Sequence, residues 1–166
     1  MRADAIANRE AIITTAIALW ADAGTGVSLR TIAADAGVGI GTLYRHFPTR
    51  DDLVRGVIDA VGASIDRIAD RYEEGRRTDP TGAWRGFIAE MVDLRLGRLI
   101  SRAVADPDPR TGEWMDGARR RVLRRTDAVL AHAEADGLVR EDVDAVHFQI
   151  GVSQLSAPLT DRVDRL

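Results

Sequence analysis

The sequence contains neither cysteine nor lysine. Without cysteine there can be no disulfide, no thiolate chemistry and no cysteine-held zinc, and the expected compartment is the reducing cytoplasm. Without lysine every basic side chain is an arginine, which reads as compositional bias rather than as function. Aromatic residues are scarce, at 5%. No apolar run approaches the roughly 18 residues that a membrane span needs, so no membrane partner is expected. The N-terminus has charges but no apolar core, unlike a signal peptide. Runs that alternate apolar and polar with β-branched enrichment are missing, so strands are not expected. Also missing are a glycine-rich phosphate loop, a G-x-S-x-G elbow and any paired metal-ligand spacing. His132 and His147 stand apart on their helices, and no second histidine lies three or four residues on from either. An enzyme, a cofactor and a metal site are therefore not expected.

What is present is helical periodicity in a chain that is 45% hydrophobic. The net charge of -3 argues against non-specific attraction to nucleic acid. Its distribution is uneven. Residues 1–50 hold five Arg against four acids, and residues 51–166 hold 18 against 22. A nucleic-acid partner would need a local positive patch.

Ile12, Ile13, Ala16, Leu19 and Trp20 repeat at three and four, predicting a helix over about 5–23 that ends at Gly24 and Gly26. Ser28 can cap the next helix, with Leu29, Ile32, Ala33 and Ala36 on its inner face and Gly37 at its end. Leu43 and Phe47 give the following short helix a buried stripe, and Pro48 closes it. Thr49 and Asp52 form a capping box for a long helix reaching about Tyr72. Trp84, Phe87, Ile88 and Met91 lie on another, with a possible extension from Leu94 to Ile100. Asp106–Gly112, "DPDPRTG", reads as a loop. Glu113 to about Asp136 resumes helix, and Asp142 is placed to cap a last one over about 143–156. The expected fold is all-α: a three-helix head over residues 1–48 and a helical body over 49–166.

Within the head, "GVGIGTLYRHF", Gly37 to Phe47, sets a glycine turn before a short helix. Two short helices joined by Gly37–Val38–Gly39 make a helix-turn-helix. Val38 plugs the turn, and a glycine tolerates the positive φ that a tight turn requires. With Leu43 and Phe47 turned inward, Gly41, Thr42, Tyr44, Arg45 and His46 face outward, where they suit a DNA major groove about 12 Å wide. From Gly37 to Arg50 there are two Arg, one His and no acid. The pattern by itself also fits a plain αα-corner with a solvated helix end.

"SLRTIAADAGVGIGTLYRHFPTRDDLV", Ser28 to Val54, resembles the DNA-binding signature of the TetR family of transcriptional regulators. The matching positions are Ile32-Ala33, Ala36-Gly37-Val38, Gly41-Thr42-Leu43-Tyr44, His46-Phe47 and Asp52-Leu53, with Ile12, Ala16, Leu19 and Gly24 in the preceding helix. The likeness is strong over about residues 9–58 and mostly architectural beyond. It implies a homodimeric, ligand-responsive regulator, a repressor that reads an inverted-repeat operator in double-stranded DNA and is released by a small-molecule effector of unknown identity. It implies DNA contacts from Arg30 and Thr31, from Gly41, Thr42, Tyr44, Arg45 and His46, and from Arg50 to a phosphate. Two positions depart from the pattern. Gly39 replaces the usual Ser or Thr cap, and Ile40 replaces a polar residue, so that Ile40 either meets a thymine methyl or covers the turn. These departures leave open an alternative, a helical dimeric interaction module without specific DNA binding.

The body is less legible. Trp84, Phe87, Met91 and Trp114 are large enough to line an effector pocket and equally suited to a core. "RRRVLRR", Arg119 to Arg125, fits an anionic effector, a DNA flank or a solvated face with packed stems. Glu134 to Gly151 resembles the approach to the family's dimer helices. Leu159 to Leu166 reads as the start of a further helix, and relatives run longer, so the form of the dimer interface stays open.

Overall fold

The computed structural model describes residues 2–24, 26–94 and 112–155, and among them it is built of helices alone. They are α1 (Arg2–Ala23), α2 (Leu29–Asp35), α3 (Ile40–His46), α4 (Arg50–Gly75), α5 (Pro80–Asp93), α6 (Gly112–Ala135) and α7 (Ala145–Leu155). The segment 106–111 of the expected loop, most of the extension from Leu94 to Ile100, and the stretch Leu159 to Leu166 lie outside the described residues.

The helix ends follow the chemistry of their residues. Gly24, Gly37 and Gly137 take φ of 88°, 69° and 72°, left-handed values that end α1, α2 and α6 at little steric cost. Ser28 Oγ accepts from the Thr31 amide at 3.1 Å and caps α2. Thr49 and Asp52 form the capping box of α4 in both directions, through the Asp52 amide to Thr49 Oγ1 at 3.1 Å and the Thr49 amide to Asp52 Oδ2 at 3.0 Å. The Asp52 carboxyl is held below its ordinary value, first by the Thr49 hydroxyl and then by the Thr49 amide. At α7 the expectation needs correcting. Asp142 sits in a turn and pairs with Arg140 at 3.3 Å. Asp144 accepts from the His147 amide instead, and Asp127 of α6 accepts from the Ala145 amide, both at 2.8 Å. The helix consequently starts at Ala145, two residues later than the spacing predicted.

Two hydrophobic clusters divide the molecule. Ile12, Ala16, Trp20, Ile32, Leu43, Phe47, Leu53 and Val57 form the first, and Ile65, Ile68, Tyr72, Phe87, Met91, Val129 and Val152 belong to the second. Helix α4 supplies residues to both, so the head's core takes in its first two turns, beyond the boundary at residue 48. One stiff helix therefore joins the two cores.

Helices α4 and α6 run in the same direction and are laced by charge. Asp66 meets Arg121 and Asp70 meets Arg125. Further along, Glu73 lies 2.7 Å from His132 Nδ1, and Arg76 donates to both oxygens of Asp136 at 3.0 and 3.1 Å. Two arginines of the Arg119–Arg125 run are thus engaged within the chain. No helix of the described residues is long and apolar enough to cross a membrane.

Candidate nucleic-acid interface

Helices α2 and α3 are each seven residues long, too short to persist without packing. Ile32 and Ala33 bury one face of α2, and Leu43 with Phe47 buries one face of α3. The turn between them is fixed by the Val38 amide, which donates to Ala33 O at 3.0 Å, and by the apolar cover of Val38 and Ile40 on the head's core. Ile40 thus covers the turn, one of the two roles open to it from sequence. Gly39 starts α3 with no side-chain cap; its carbonyl accepts from the Thr42 and Leu43 amides at 2.8 and 3.1 Å.

The polar residues are left on the outside. Arg30 and Thr31 are exposed at the start of α2, and Thr31 Oγ1 lies 2.9 Å from Ser28 Oγ. Gly41, Tyr44 and Arg45 are exposed on α3, while Thr42 and His46 are half-buried. Tyr44 keeps 49% of its surface accessible, unusual for so large a ring. Arg45 lies back along its own helix, donating to Gly41 O at 3.4 Å and to Thr42 Oγ1 at 3.3 Å. These are long bonds to neighbours one turn away, and a stronger acceptor such as a phosphate or a guanine edge can replace them. Gly41 has ordinary helical geometry, and a Cβ there would meet nothing within 4 Å, so the fold itself does not demand glycine.

Arg50 is placed differently from the other expected contacts. Its guanidinium donates to Val27 O at 2.9 Å and lies 5.8 Å from the centroid of the Trp20 ring. Its Nη2 is buried without a hydrogen-bond partner. Sequence reading did not reveal this inward role, because an arginine at a helix start looks the same whichever way it turns. It also passed over Arg9, whose guanidinium lies 5.2 Å from the centroid of the Phe47 ring.

In the body, Phe87 and Met91 are buried and Trp84 is half-buried. Trp84 stacks on Phe87 with centroids 5.6 Å apart, and Tyr72 and Phe148 close the cluster with centroid separations of 5.6–6.1 Å, within the usual range for aromatic pairs. They form core, and they line neither the cleft between α4 and α6 nor the one beside Arg71 and Glu90. The side chain of Trp114 lies outside the described residues. One cleft, of about 350 Å³, opens between α4 and α6 and is lined by Arg55, Ile58, Gly62, Gly117, Arg121 and Val122 among others.

Residues 12–57 match the signature described as bacterial regulatory proteins, tetR family. The span starts and ends on two residues of the head's core, Ile12 and Val57. A crystal structure of a TetR transcription regulatory protein from Mycobacterium vanbaalenii superposes with a TM-score of 0.62 at 31% identity, covering 99% of this chain and 94% of that one. The chain belongs to the TetR family. Among curated TetR-like relatives, an HTH-type transcriptional repressor of Mycobacterium tuberculosis is 33% identical over 135 residues, 75% of this chain. The chain spans 66% of that relative's length. The HTH-type transcriptional repressor KstR of Mycolicibacterium smegmatis is 26% identical, covering 93% of this chain and 78% of its own length. This TetR-family chain carries the family's helix-turn-helix head over residues 12–57.

Proposed function

We propose that the protein is a homodimeric repressor that reads an inverted-repeat operator in double-stranded DNA and is released by a small-molecule effector. The observation that carries the DNA reading is the row of exposed Arg30, Thr31, Gly41, Tyr44 and Arg45 on two short helices whose other faces are buried. Thr42 and His46 flank it. Arg30 and Arg45 supply charge and forked donors, Tyr44 a ring and a hydroxyl, and Gly41 a place where backbone and DNA can approach closely. The absence of any acid from Gly37 to Arg50 keeps the patch positive inside a chain of net charge -3.

The dimer reading rests on α7. Val146 is 41% exposed and Ile150 51%, one turn apart on the same face, and Leu155 beyond them is 68% exposed. Ala128, Ala131 and Ala135 are exposed on α6, which packs against α7. A two-fold partner covering both helices sets two recognition helices in successive major grooves, about 34–36 Å apart. The effector reading rests on the cleft between α4 and α6, whose volume falls within the usual range for small-molecule sites. A ligand there presses on α4, and α4 enters both cores, so body and head are coupled through it.

Sedimentation of the purified protein tests the assembly. The expected mass is twice the 18.1 kDa of one chain, and Ile150→Arg should halve it with helicity intact. Titration of duplex DNA across salt tests the other half. The logarithm of the affinity should fall with the logarithm of salt by about 0.9 for each phosphate contacted. A single-chain mass for the unmodified protein, or an affinity indifferent to salt, contradicts the proposal.

A further inference from the structure

We infer that Arg50 is a positioning residue that fixes the start of α2 from inside the head, and not a residue that reaches the DNA backbone. The inference rests on the DNA-reading function proposed above and refines which residues perform it. Three observations support it. The guanidinium is within hydrogen-bond distance of Val27 O, at 2.9 Å. It lies over the ring of Trp20, which is itself 2% exposed. Its other terminal nitrogen, Nη2, is shut away from solvent without a partner.

Each contact has a consequence for geometry. Val27 O belongs to the peptide that joins Val27 to Ser28, the residue that caps α2. Holding that peptide fixes the direction from which α2 starts. Ser28 Oγ then accepts from the Thr31 amide at 3.1 Å and lies 2.9 Å from Thr31 Oγ1. The line of force runs from Arg50 through Val27 and Ser28 to Thr31, with Arg30 beside it. A planar, permanently charged group suits this role, since it can donate along its edge to a carbonyl while its face rests on an indole. To touch a phosphate, Arg50 would have to leave both partners and expose the Trp20 ring it covers. Arg45, by comparison, gives up only two long bonds on an exposed helix.

A contact residue and a positioning residue leave different marks. Removing a phosphate contact weakens binding to all sequences alike and lowers the salt slope by about 0.9. Removing an internal strut leaves the slope in place and weakens the specific complex more than the non-specific one. The experiment compares the unmodified protein with Arg50→Ala and Arg50→Gln, titrating a selected operator duplex and a scrambled duplex over a range of salt. Glutamine has no charge but keeps an N–H for Val27 O. Amide hydrogen exchange at Thr31 is followed in the same free proteins.

The expected result for Arg50→Ala is an operator affinity lower by on the order of tenfold, the effect of one lost charged hydrogen bond. The salt slope should stay unchanged, scrambled-duplex affinity should stay nearly unchanged, and exchange at Thr31 should be faster. Arg50→Gln should recover part of the operator affinity and slow the exchange again. A slope lower by about 0.9 in both variants, with equal losses on both duplexes and unaltered Thr31 exchange, overturns the inference. Should the unmodified protein show no preference for any duplex, the proposed function fails. The strut is then judged by Thr31 exchange alone, and unaltered exchange in Arg50→Ala overturns it. If Arg50→Ala does not fold, Arg50→Gln gives the same comparison of slopes.

Discussion

Gly56 of α4 stands directly under the ring of Phe47 at the end of α3: a Cβ on Gly56 would lie 2.7 Å from Phe47 Cε1. Phe47 is 2% exposed and has Arg9 over its ring, so the ring has no free direction in which to move. The fit sets how closely the recognition helix approaches the long helix. Gly56→Ala should destabilise the head by about 1–2 kcal/mol, since the strain of overpacking exceeds the gain in helix propensity. Urea denaturation measures it. A variant as stable as its parent would show that the two helices can separate freely.

Tyr44 and Arg45 are exposed and contribute little to the core. Tyr44→Ala and Arg45→Ala should each lower operator affinity by about 1–3 kcal/mol while thermal stability stays within about 0.5 kcal/mol. Anisotropy titration beside a melting curve separates the two effects. Undiminished affinity in both variants would remove these residues from the interface.

Gly41 allows a test with opposite signs. Nothing lies within 4 Å of a Cβ built there, and the residue sits inside α3. Gly41→Ala should therefore stabilise the free protein, by about 0.5–1 kcal/mol. It should also weaken operator binding, because the methyl stands where the DNA approaches. Stability and affinity rising together would mean that the glycine does not face the DNA.

Much of the head is legible in the sequence because its signals are local. Ser28, Gly37 and the Thr49–Asp52 pair each mark a helix end through chemistry within three residues, and the structure has all three. The outward set from Gly41 to His46 follows from knowing that Leu43 and Phe47 point inward. What the sequence hid depends on contacts across the chain. Arg50 turns inward because Val27 and Trp20, 23 and 30 positions earlier, are brought beside it by the fold. Asp142 and Asp144 offer the same local cap signal two residues apart, and the bond from the Ala145 amide to Asp127 of α6 lies across the chain. Gly56 lies against Phe47, a close approach between two helices that the apolar pattern of α4 did not single out. In the body, size did not distinguish lining from core: Trp84, Phe87 and Met91 pack against one another and their neighbours.

The capping box of α4 predicts a pH dependence. The Asp52 carboxyl is held below its ordinary value of 3.8, mainly by the Thr49 hydroxyl. A depressed value in the folded state means stability that is present above 3.8 and is lost as pH falls through the lower folded value. Asp52→Ala should therefore melt below its parent at neutral pH, by a margin that narrows as the pH falls from 3.8 through the lower folded value. A margin constant with pH would show that the charge on Asp52 does not support the cap.

The proposed regulation turns on α2 and α3 reading a specific sequence as part of a two-fold dimer. Selection of bound duplexes from a random pool at about 0.15 M salt, followed by sequencing, tests it most directly. The expected result is an enriched inverted repeat whose half-sites are about one helical turn apart or a little more. A folded protein that enriches no sequence, or only an isolated half-site, would contradict it.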